Sequence, residues 1–503
     1  MEQLIPVANE DTSVLLVHSP YPGKLKFDAL PSSLLHAIAP FAASAPAGGS
    51  SELLGYLDPG TPSPAFYARL KHLARAGGLR AVCICTSTAA IEETARVVEV
   101  LRDGAGHELL IAVGGPHEDD CNRKVAATLD GVDLSIAGDG EYVLGWVLGE
   151  HLMHDGSPEG TCRKLEQGLD TILDAGHGRG TVTSPWWCVP KTRPFDFGLV
   201  SANESPPCPQ IDKAIRFPVF RSAATIPLLV SRGCPYGQCT FCAEGARGRG
   251  QLARSDFRWL EELLHQSSGV ALYFQDSIFP NNEGVREGLL PLLREWGGEW
   301  GCQVYLRSMS HSFLRLLAEA GCSYIYTGIE TASGEILSAI GKPNLTRELA
   351  VERLAWIRDE GVSVGLSLMF GSLALDGRLL ETEATVAETV ALAEQIRGLG
   401  VDVAGFYPNV QTILPGTALA RGLQRAGHKI DFYSVPRCSA FDCLEDGSIG
   451  YNFMTLPSLG ERRKRESVAE RVVEASIEVQ QIGTVRWDPK VTPASDSLEL
   501  ETV

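Results

Sequence analysis

The sequence predicts an α/β protein, in which an N-terminal doubly wound parallel sheet precedes a partial TIM-like (βα)6 barrel and a small C-terminal region. Short apolar runs alternate with amphipathic helical patterns over residues 1–150, and the alternation returns over residues 225–425. This pattern is typical of parallel sheets that carry helices on their faces. Residues 151–224 lose the pattern and are expected to form a linker or wrapping segment, and residues 426–503 a cap or tail.

Charge and hydropathy argue against several classes of function. The 503 residues include 44 Lys and Arg against 62 Asp and Glu, which gives a net charge of −18. Nucleic-acid-binding proteins usually carry a basic surface, so no DNA or RNA partner is expected. No apolar stretch approaches the roughly 20 residues that span a bilayer, and residues 1–10 lack the features of a signal peptide. A cytoplasmic protein with no membrane partner is therefore expected.

The N-terminal sheet is predicted from five apolar runs, at residues 13–17, 53–57, 79–85, 109–113 and 132–136. In doubly wound sheets ligands bind beyond the carboxyl ends of the strands. Polar and glycine-rich loops follow the last three strands, and any one of them could be an ordinary turn: Thr86-Ser87-Thr88, Gly114-Gly115-Pro116-His117 and Gly138-Asp139-Gly140-Glu141. Together they favour a binding edge, whereas the absence of a GxGxxG sequence disfavours a dinucleotide.

The barrel is predicted from six strand–helix units. The strands are expected at residues 225–230, 270–275, 303–306, 324–327, 363–369 and 403–407, with helices at 257–265, 288–296, 313–320, 347–360 and 384–398. Active sites of such barrels lie at the C-terminal ends of the strands. The segment after the first of these strands is therefore the expected position of catalytic groups.

The cysteine pattern predicts a metal centre at that position. Cys234, Cys239 and Cys242 fall in one glycine-containing loop, and thirteen cysteines without a secretion signal argue against a disulfide framework. A structural zinc site needs four ligands, and the nearest second pair, Cys438 and Cys443, lies about 200 residues further on. A 4Fe-4S cluster held by three thiolates leaves one iron open to the amino and carboxylate groups of a methionine moiety. Cys438 and Cys443 are interpreted as ordinary cysteines of the C-terminal region, with a role as an acid or radical quencher left open.

At this loop the sequence resembles the radical S-adenosylmethionine (SAM) superfamily, and its cobalamin-dependent branch in particular. The resemblance continues through the segments at residues 273–277, 328–333, 340–342 and 415–417, and through Gly371. It implies that the three cysteines bind the cluster, and the SAM-binding residues that it implies are Phe241, Asp276, Arg307, Glu330 and Pro415. The cysteine spacing departs from the superfamily pattern, because four residues and then two separate the cysteines where the superfamily has three and then two.

The N-terminal sheet is similar to the Rossmann-like cobalamin-binding domain of this branch. The cobalamin-binding residues implied by the resemblance are Thr86, Ser87, Thr88, Gly114, Gly115, Pro116 and Glu141. The DxHxxG sequence that supplies a histidine to cobalt in other cobalamin proteins is absent, and His18-Ser19-Pro20 follows the first strand instead. Bound cobalamin should therefore lack a histidine from that motif on its lower face.

The resemblance implies an enzyme that methylates an unactivated carbon of a small biosynthetic intermediate by way of a 5′-deoxyadenosyl radical and methylcobalamin. Its cofactors would be the 4Fe-4S cluster, SAM and cobalamin, with flavodoxin or ferredoxin as electron donor. A cyclase or ring-rearranging enzyme with the same cofactors is the alternative, and a non-catalytic cobalamin and iron–sulfur sensor is a lesser one. The acidic charge disfavours a methylthiotransferase that acts on transfer RNA.

Overall fold

The computed structural model describes residues 12–19, 54–57, 63–86, 90–115, 129–137, 171–173, 180–183, 219–222, 224–244, 252–253 and 270–428, and positions 257, 260–261, 264–265, 430, 471, 474–475 and 478–479. Among the predicted positions, Ser87, Thr88, Pro116, Glu141, Cys438 and Cys443 lie outside these residues. No helix in the described part of the chain is long and apolar enough to cross a membrane.

The N-terminal sheet has seven strands within the described residues, in the order β2-β1-β3-β4-β5-β7-β6. Neighbouring strands are parallel except for β6, which is antiparallel to β7. The five predicted strands are confirmed, with ends shifted by one or two residues: β1 Val14–His18, β2 Leu54–Leu57, β3 Ala81–Cys85, β4 Leu110–Gly114 and β5 Leu134–Ala137. The prediction of a doubly wound parallel sheet is thus confirmed.

Two further strands lie in the segment that was expected to be a linker. Strand β6 covers Thr171–Leu173 and β7 covers Gly180–Thr183, and β7 extends the sheet by pairing with β5. The sequence prediction missed both because strands of three and four residues are too short to produce a recognisable apolar periodicity.

Two helices cover this sheet, α1 at Pro64–Arg75 and α2 at Ile91–Ala105. Helix α1 begins at Ser63, whose hydroxyl accepts a hydrogen bond from the backbone N–H of Phe66, and Pro64 fits the first turn because that turn leaves its N–H groups unpaired. The buried side of α2 carries Val97, Val98 and Leu101, which pack with the apolar strands. Burial on both faces explains why β3 and β4 are continuous apolar runs.

The second sheet is the predicted partial barrel, with six parallel strands in the order β15-β14-β13-β12-β11-β8. Their bounds are β8 Ala224–Leu228, β11 Val270–Phe274, β12 Trp300–Gln303, β13 Cys322–Glu330, β14 Ser363–Phe370 and β15 Val403–Val410. The helices between and after them are α3 Leu290–Trp296, α4 His311–Glu319, α5 Gly334–Ala339, α6 Arg347–Asp359, α7 Glu383–Gly398 and α8 Ala418–Arg425. Two short strands lie between β8 and β11 in the sequence and form an antiparallel pair of their own: β9 Ser231–Arg232 and β10 Leu252–Ala253.

The predicted third barrel strand at residues 303–306 is wrong. The strand is Trp300–Gln303, and the apolar residues that suggested a strand lead instead into a 3-10 turn at Leu306–Ser308. Leu306 in the turn is as fully buried as Trp300 in the strand, so an apolar run in the sequence does not distinguish the two. The helix predicted at 288–296 is also split, because a π-helical segment at Val285–Leu289 precedes α3.

Tyrosines fill part of the barrel interior. Tyr273 and Tyr324 are buried there with ring centroids 6.1 Å apart, and the rings of Tyr326 and Tyr407 lie 5.6 Å apart. A Cβ atom at Gly365 would overlap the Tyr324 hydroxyl, so glycine on β14 makes room for the phenol. Burial raises the pKa values of Tyr273 and Tyr324, which keeps both phenols protonated.

Candidate active site

The three cysteines lie in a loop that follows the first barrel strand, β8. This loop, residues 234–242, begins one residue after β9, which pairs with β10, a strand that follows the cysteines in the sequence. The barrel edge at which the loop lies is the one where such barrels place their active sites. All three thiols are partly buried and none forms a disulfide.

The three thiols are close enough to influence one another electrostatically. Burial raises the pKa of Cys239 to about 12, the Lys342 ammonium opposes the shift, and negative charge on Cys242 or Cys234 adds to it. Within the described residues, which include the three cysteines, no three His, Cys, Asp or Glu side chains are gathered closely enough to hold a single metal ion. Three neighbouring thiols without a fourth ligand do not make a closed zinc site, whereas they match the ligand set of a cluster with one open iron.

Backbone hydrogen bonds attach the cysteine loop to two other loops of the barrel. The N–H of Thr240 donates to the carbonyl oxygen of Ile340 over 3.0 Å, and the N–H of Leu419 donates to the carbonyl oxygen of Thr240 over 2.8 Å. The Tyr236 hydroxyl donates to the carbonyl oxygen of Gly341 over 2.5 Å. The cysteine loop is therefore positioned by the turn after α5 and by the first turn of α8.

Gly341 allows this close approach. Its φ is +84°, in the left-handed region that favours glycine. A Cβ atom there would overlap the carbonyl oxygen of Gln238 and would lie 3.3 Å from the Cα atom of Cys239. The backbone of the turn thus packs directly on the backbone of the cysteine loop.

Asp276 anchors the entry to the cysteine loop. It is fully buried and accepts hydrogen bonds from the Ser231 hydroxyl at 2.5 Å, from the Ser231 N–H and from the Val230 N–H at 3.2 Å. Burial raises the pKa of Asp276 to about 7, although these hydrogen bonds favour the ionised form. The residue predicted to contact SAM is placed here beneath the loop, with its oxygens directed at the chain that leads into the cysteines.

Glu330 ends β13 in an unusual conformation and forms an ion pair. Its φ is +60°, and its Oε1 lies 2.6 Å from Nζ of Lys342. The pairing of β13 with β14 shifts register between Gly328 and Glu330, and a Cβ atom at Gly328 would overlap the Glu330 carboxylate. Both members of the pair are buried, so the pairing offsets the cost of removing two charges from water.

Aromatic and basic side chains surround this ion pair. The rings of Tyr236 and Tyr305 lie 4.9 Å apart, and Nζ of Lys342 lies 5.4 Å from the Tyr305 ring centroid. Arg307, an exposed residue of the 3-10 turn after β12, places its guanidinium carbon 5.8 Å from the Tyr236 ring centroid. Arg307 therefore approaches the cysteine loop through Tyr236.

Of the remaining two predicted SAM contacts, Phe241 belongs to the cysteine loop and Pro415 precedes α8. Phe241 is partly buried and packs against the apolar cluster that contains Ile336 and Ile340. Pro415 is buried and shortly precedes Thr417, whose hydroxyl accepts a hydrogen bond from the Ala420 N–H at the start of α8. Helix α8 in turn contacts Thr240 of the loop. The structure thus brings the predicted residues of the barrel to one edge.

Part of the predicted cobalamin site is described in the N-terminal sheet. The buried Thr86 and Ser19 hydroxyl oxygens lie 2.5 and 2.7 Å from the Thr94 hydroxyl oxygen, and the Thr86 N–H donates to Gly114 over 2.8 Å. Gly115 has a φ of +112°, and a Cβ atom there would overlap the Thr86 carbonyl oxygen. Thr86, Gly114 and Gly115 therefore meet at the carboxyl edge of β3 and β4, as predicted for adjacent parallel strands.

Sequence reasoning gave no role to three residues that the structure places in the site. Lys342 was part of a recognised segment, but its pairing with Glu330 depends on the turn after α5. Tyr236 and Tyr305 are brought together from two separate loops. The glycine of the Gly341-Lys342 dipeptide was the available signal, because a glycine after a short helix indicates a left-handed turn.

Comparisons with known proteins agree with this geometry. Residues 228–393 match the Radical SAM superfamily. Over 201 residues the chain is 28% identical to an uncharacterized methyltransferase of Pyrococcus horikoshii, and over 211 residues it is 29% identical to the hopanoid C-2 methylase of Rhodopseudomonas palustris. These alignments cover 38% and 40% of the chain, and they span only about two fifths of each relative, 40% and 38%.

Solved structures share the fold over a larger part of the chain. The radical SAM methyltransferase TsrM of Kitasatospora setae, solved with tryptophan and aza-SAM, superposes with a TM-score of 0.55 at 18% identity, over 81% of this chain and 75% of TsrM. The cobalamin-dependent radical SAM enzyme OxsB, solved with aqua-cobalamin and SAM, gives a TM-score of 0.57 at 14% identity, over 93% of this chain and 72% of OxsB. At these identities the likeness establishes the fold.

The residues that match the Radical SAM superfamily, 228–393, contain the three-cysteine loop and the barrel strands β11 to β14. The chain shares its fold with TsrM and OxsB, and its own N-terminal sheet precedes the barrel in the sequence.

Proposed function

We propose that the chain is a cobalamin-dependent radical SAM methyltransferase that acts on an unactivated carbon of a small biosynthetic intermediate. The observation that carries the proposal is the three-thiol loop at the barrel edge, in a chain whose fold matches TsrM and OxsB. Methyl transfer is supported by the two curated relatives, which are a methyltransferase and a methylase. In domain terms, residues 1–150 bind cobalamin, residues 225–425 form the barrel, and residues 151–224 and 426–503 are accessory.

Cys234, Cys239 and Cys242 hold the 4Fe-4S cluster in this proposal. When bound, the cluster supplies one electron to the sulfonium of SAM and thereby generates the 5′-deoxyadenosyl radical. The protein keeps the thiols in place through Asp276 at the start of the loop and through the Ile340 carbonyl in its middle. One extra residue between the first two cysteines is accommodated at Gly237, whose φ is +57°.

The SAM-binding groups border this loop on several sides. Phe241 offers an aromatic face next to Cys242, Arg307 offers an exposed cation, and Pro415 shapes the turn before α8. Glu330 contributes through its backbone position and its bond to Lys342, and Asp276 acts by holding the loop. Groups held in these positions would orient SAM relative to the cluster before the reaction.

The cobalamin-binding groups lie at the carboxyl edge of the N-terminal sheet. Thr86, Gly114 and Gly115 are packed tightly enough that the backbone of one loop contacts the backbone of the next. Ser87, Thr88, Pro116 and Glu141 follow directly in the same loops or in the next one and complete the proposed site. Cobalamin bound here would carry the methyl group, and the chain would offer it no histidine from a DxHxxG motif, because that motif is absent from the sequence.

The substrate is proposed to be a small molecule, and the electron donor a flavodoxin or ferredoxin, in the cytoplasm. A small substrate is supported by the tryptophan bound to TsrM. It also fits a barrel interior narrowed by Tyr326 and Tyr407.

Product analysis with SAM tests the proposal without knowledge of the substrate. Protein reconstituted anaerobically with iron, sulfide and hydroxocobalamin is incubated with SAM and dithionite. We expect both 5′-deoxyadenosine and S-adenosylhomocysteine, since the second product requires transfer of a methyl group to reduced cobalamin. 5′-Deoxyadenosine alone would contradict methyl transfer and favour a cyclase or ring-rearranging enzyme.

Two cysteine variants serve as a matched pair in this assay. Cys239→Ser removes a proposed cluster ligand and should abolish 5′-deoxyadenosine. Cys322→Ser changes a buried cysteine whose thiol donates to the Tyr324 carbonyl oxygen at 3.5 Å and contacts the Cys302 thiol, away from the cysteine loop. A hydroxyl can make the same hydrogen bond, so this variant should leave the product intact. Full activity in the Cys239 variant would contradict the cluster assignment.

A further inference from the structure

The buried ion pair between Glu330 and Lys342 lies beside the cysteine loop. Only 10% of the Lys342 side chain and 9% of the Glu330 side chain are exposed, and Nζ and Oε1 lie 2.6 Å apart. Lys342 directly follows Gly341, whose ideal Cβ position is 3.3 Å from the Cα atom of Cys239. Two opposite charges are therefore held, shielded from water, next to a proposed cluster ligand.

Lys342 is paired with one carboxylate and lies within electrostatic reach of the Cys239 thiol. Lys342 faces Glu330 and the Tyr305 ring, whose centroid lies 5.4 Å from Nζ. The 2.6 Å contact between Nζ of Lys342 and Oε1 of Glu330 is a charge-assisted hydrogen bond between a buried ammonium and a buried carboxylate.

Such charges act on any electron-accepting group nearby. Reduction adds negative charge, which a neighbouring cation favours and a neighbouring anion opposes. Salt screens buried charges much less than exposed ones, so the influence of this pair persists at physiological ionic strength.

We propose that Lys342 and Glu330 are positioning residues with opposite effects on the reduction of the cluster, Lys342 favouring the reduced state and Glu330 opposing it. This inference rests on the proposed function, because it assumes that Cys234, Cys239 and Cys242 hold the cluster. The pair sets the ease with which one electron is accepted, and the electron itself comes from the external donor.

A purely structural role for the pair predicts a different pattern. The ion pair joins the end of β13 to the turn whose Ile340 and Gly341 carbonyls accept hydrogen bonds from the cysteine loop. If the pair only maintained that contact, removal of either partner would loosen the loop, and both variants would change in the same direction. The charge role predicts changes of opposite sign.

The test is a potentiometric titration of the reconstituted full-length protein without SAM, with dithionite as reductant and the cluster followed by absorbance and electron paramagnetic resonance. Lys342→Met should lower the midpoint potential, Glu330→Gln should raise it, and the double variant should lie between the two, near the wild type. Lys342→Arg keeps the charge and should match the wild type. Iron and sulfide content is measured for each variant.

Each outcome decides the inference. Shifts of the same sign, unshifted potentials at full iron content, or single variants that bind no iron would overturn the charge role and leave a structural one. Wild-type protein that binds no iron would instead overturn the proposed function, and this inference with it. Opposite shifts with recovery in the double variant would support it.

Discussion

The contact between Gly341 and the cysteine loop gives the sharpest mutational prediction. An alanine in the left-handed region costs about 1–2 kcal/mol. The Gly341→Ala methyl would also overlap the Gln238 carbonyl oxygen and lie 3.1 Å from its carbon. Backbone atoms cannot move out of the way as a flexible side chain can, so this overpacking should cost about 1–3 kcal/mol more. The turn at residues 340–342 should therefore separate from the cysteine loop.

Gly361→Ala is the matched control for this variant. Gly361 also follows a helix and has a φ of +70°, but nothing lies within 4 Å of its ideal Cβ position. Gly361→Ala should therefore carry the free-energy cost of the left-handed backbone conformation without a steric overlap. The difference between the two variants therefore isolates the contact with the cysteine loop.

Hydrogen exchange of the reconstituted protein measures the effect where it arises. The Thr240 N–H is bonded to the Ile340 carbonyl, so loss of the contact should expose it. An overlap of about 1–3 kcal/mol corresponds to exchange roughly 5- to 150-fold faster. Gly361→Ala should leave exchange at Thr240 unchanged. Equal exchange in both variants would refute the claim that the turn positions the loop.

Three further substitutions have defined outcomes. Burial raises the pKa of Glu381 to about 8, so the folded state keeps a proton that the unfolded chain releases near 4.5. The free energy of unfolding should therefore fall as the pH rises between these two values, by up to about 1.4 kcal/mol per pH unit. Denaturant titrations at several pH values should show that the free energy of unfolding of Glu381→Gln depends less on pH. Asp276→Asn should weaken the anchoring of Ser231 by about 1.5–3 kcal/mol and lower iron retention, whereas the exposed Asp376→Asn should retain iron as the wild type does. Thr94→Val removes one hydrogen bond from each of the buried Thr86 and Ser19 hydroxyls and should lower the free energy of unfolding by about 1–3 kcal/mol, and unchanged denaturant midpoints would refute that role.

Much of the fold follows from the sequence because buried parallel strands are continuous apolar runs. Strands β3, β4 and β14 were predicted within one or two residues at each end. The third barrel strand was misplaced because Trp300-Gly301-Cys302 carries less of this signal than the apolar residues 304–306 that follow it. The strands of the predicted linker were too short to detect, and their place is set by pairing with β5.

The candidate site could be predicted as a set of segments but not as a set of contacts. The positions of glycines and cysteines marked the loops, because glycine after a strand indicates a tight turn and clustered cysteines indicate metal ligands. The bond between Glu330 and Lys342 depends on a bulge in β13, and the position of Asp276 beneath Ser231 depends on the pairing of β8 with β11. Such contacts arise from tertiary structure, which spacing along the chain does not contain.

The most direct test of the central claim is metal analysis of the desalted protein after anaerobic reconstitution with iron, sulfide and hydroxocobalamin. The account predicts about four irons and one cobalt per chain, with a Mössbauer spectrum of a 4Fe-4S cluster. Cys239→Ser should lose the iron and keep the cobalt, and Cys322→Ser should keep both. Zinc in place of iron, or full iron content in Cys239→Ser, would contradict the account.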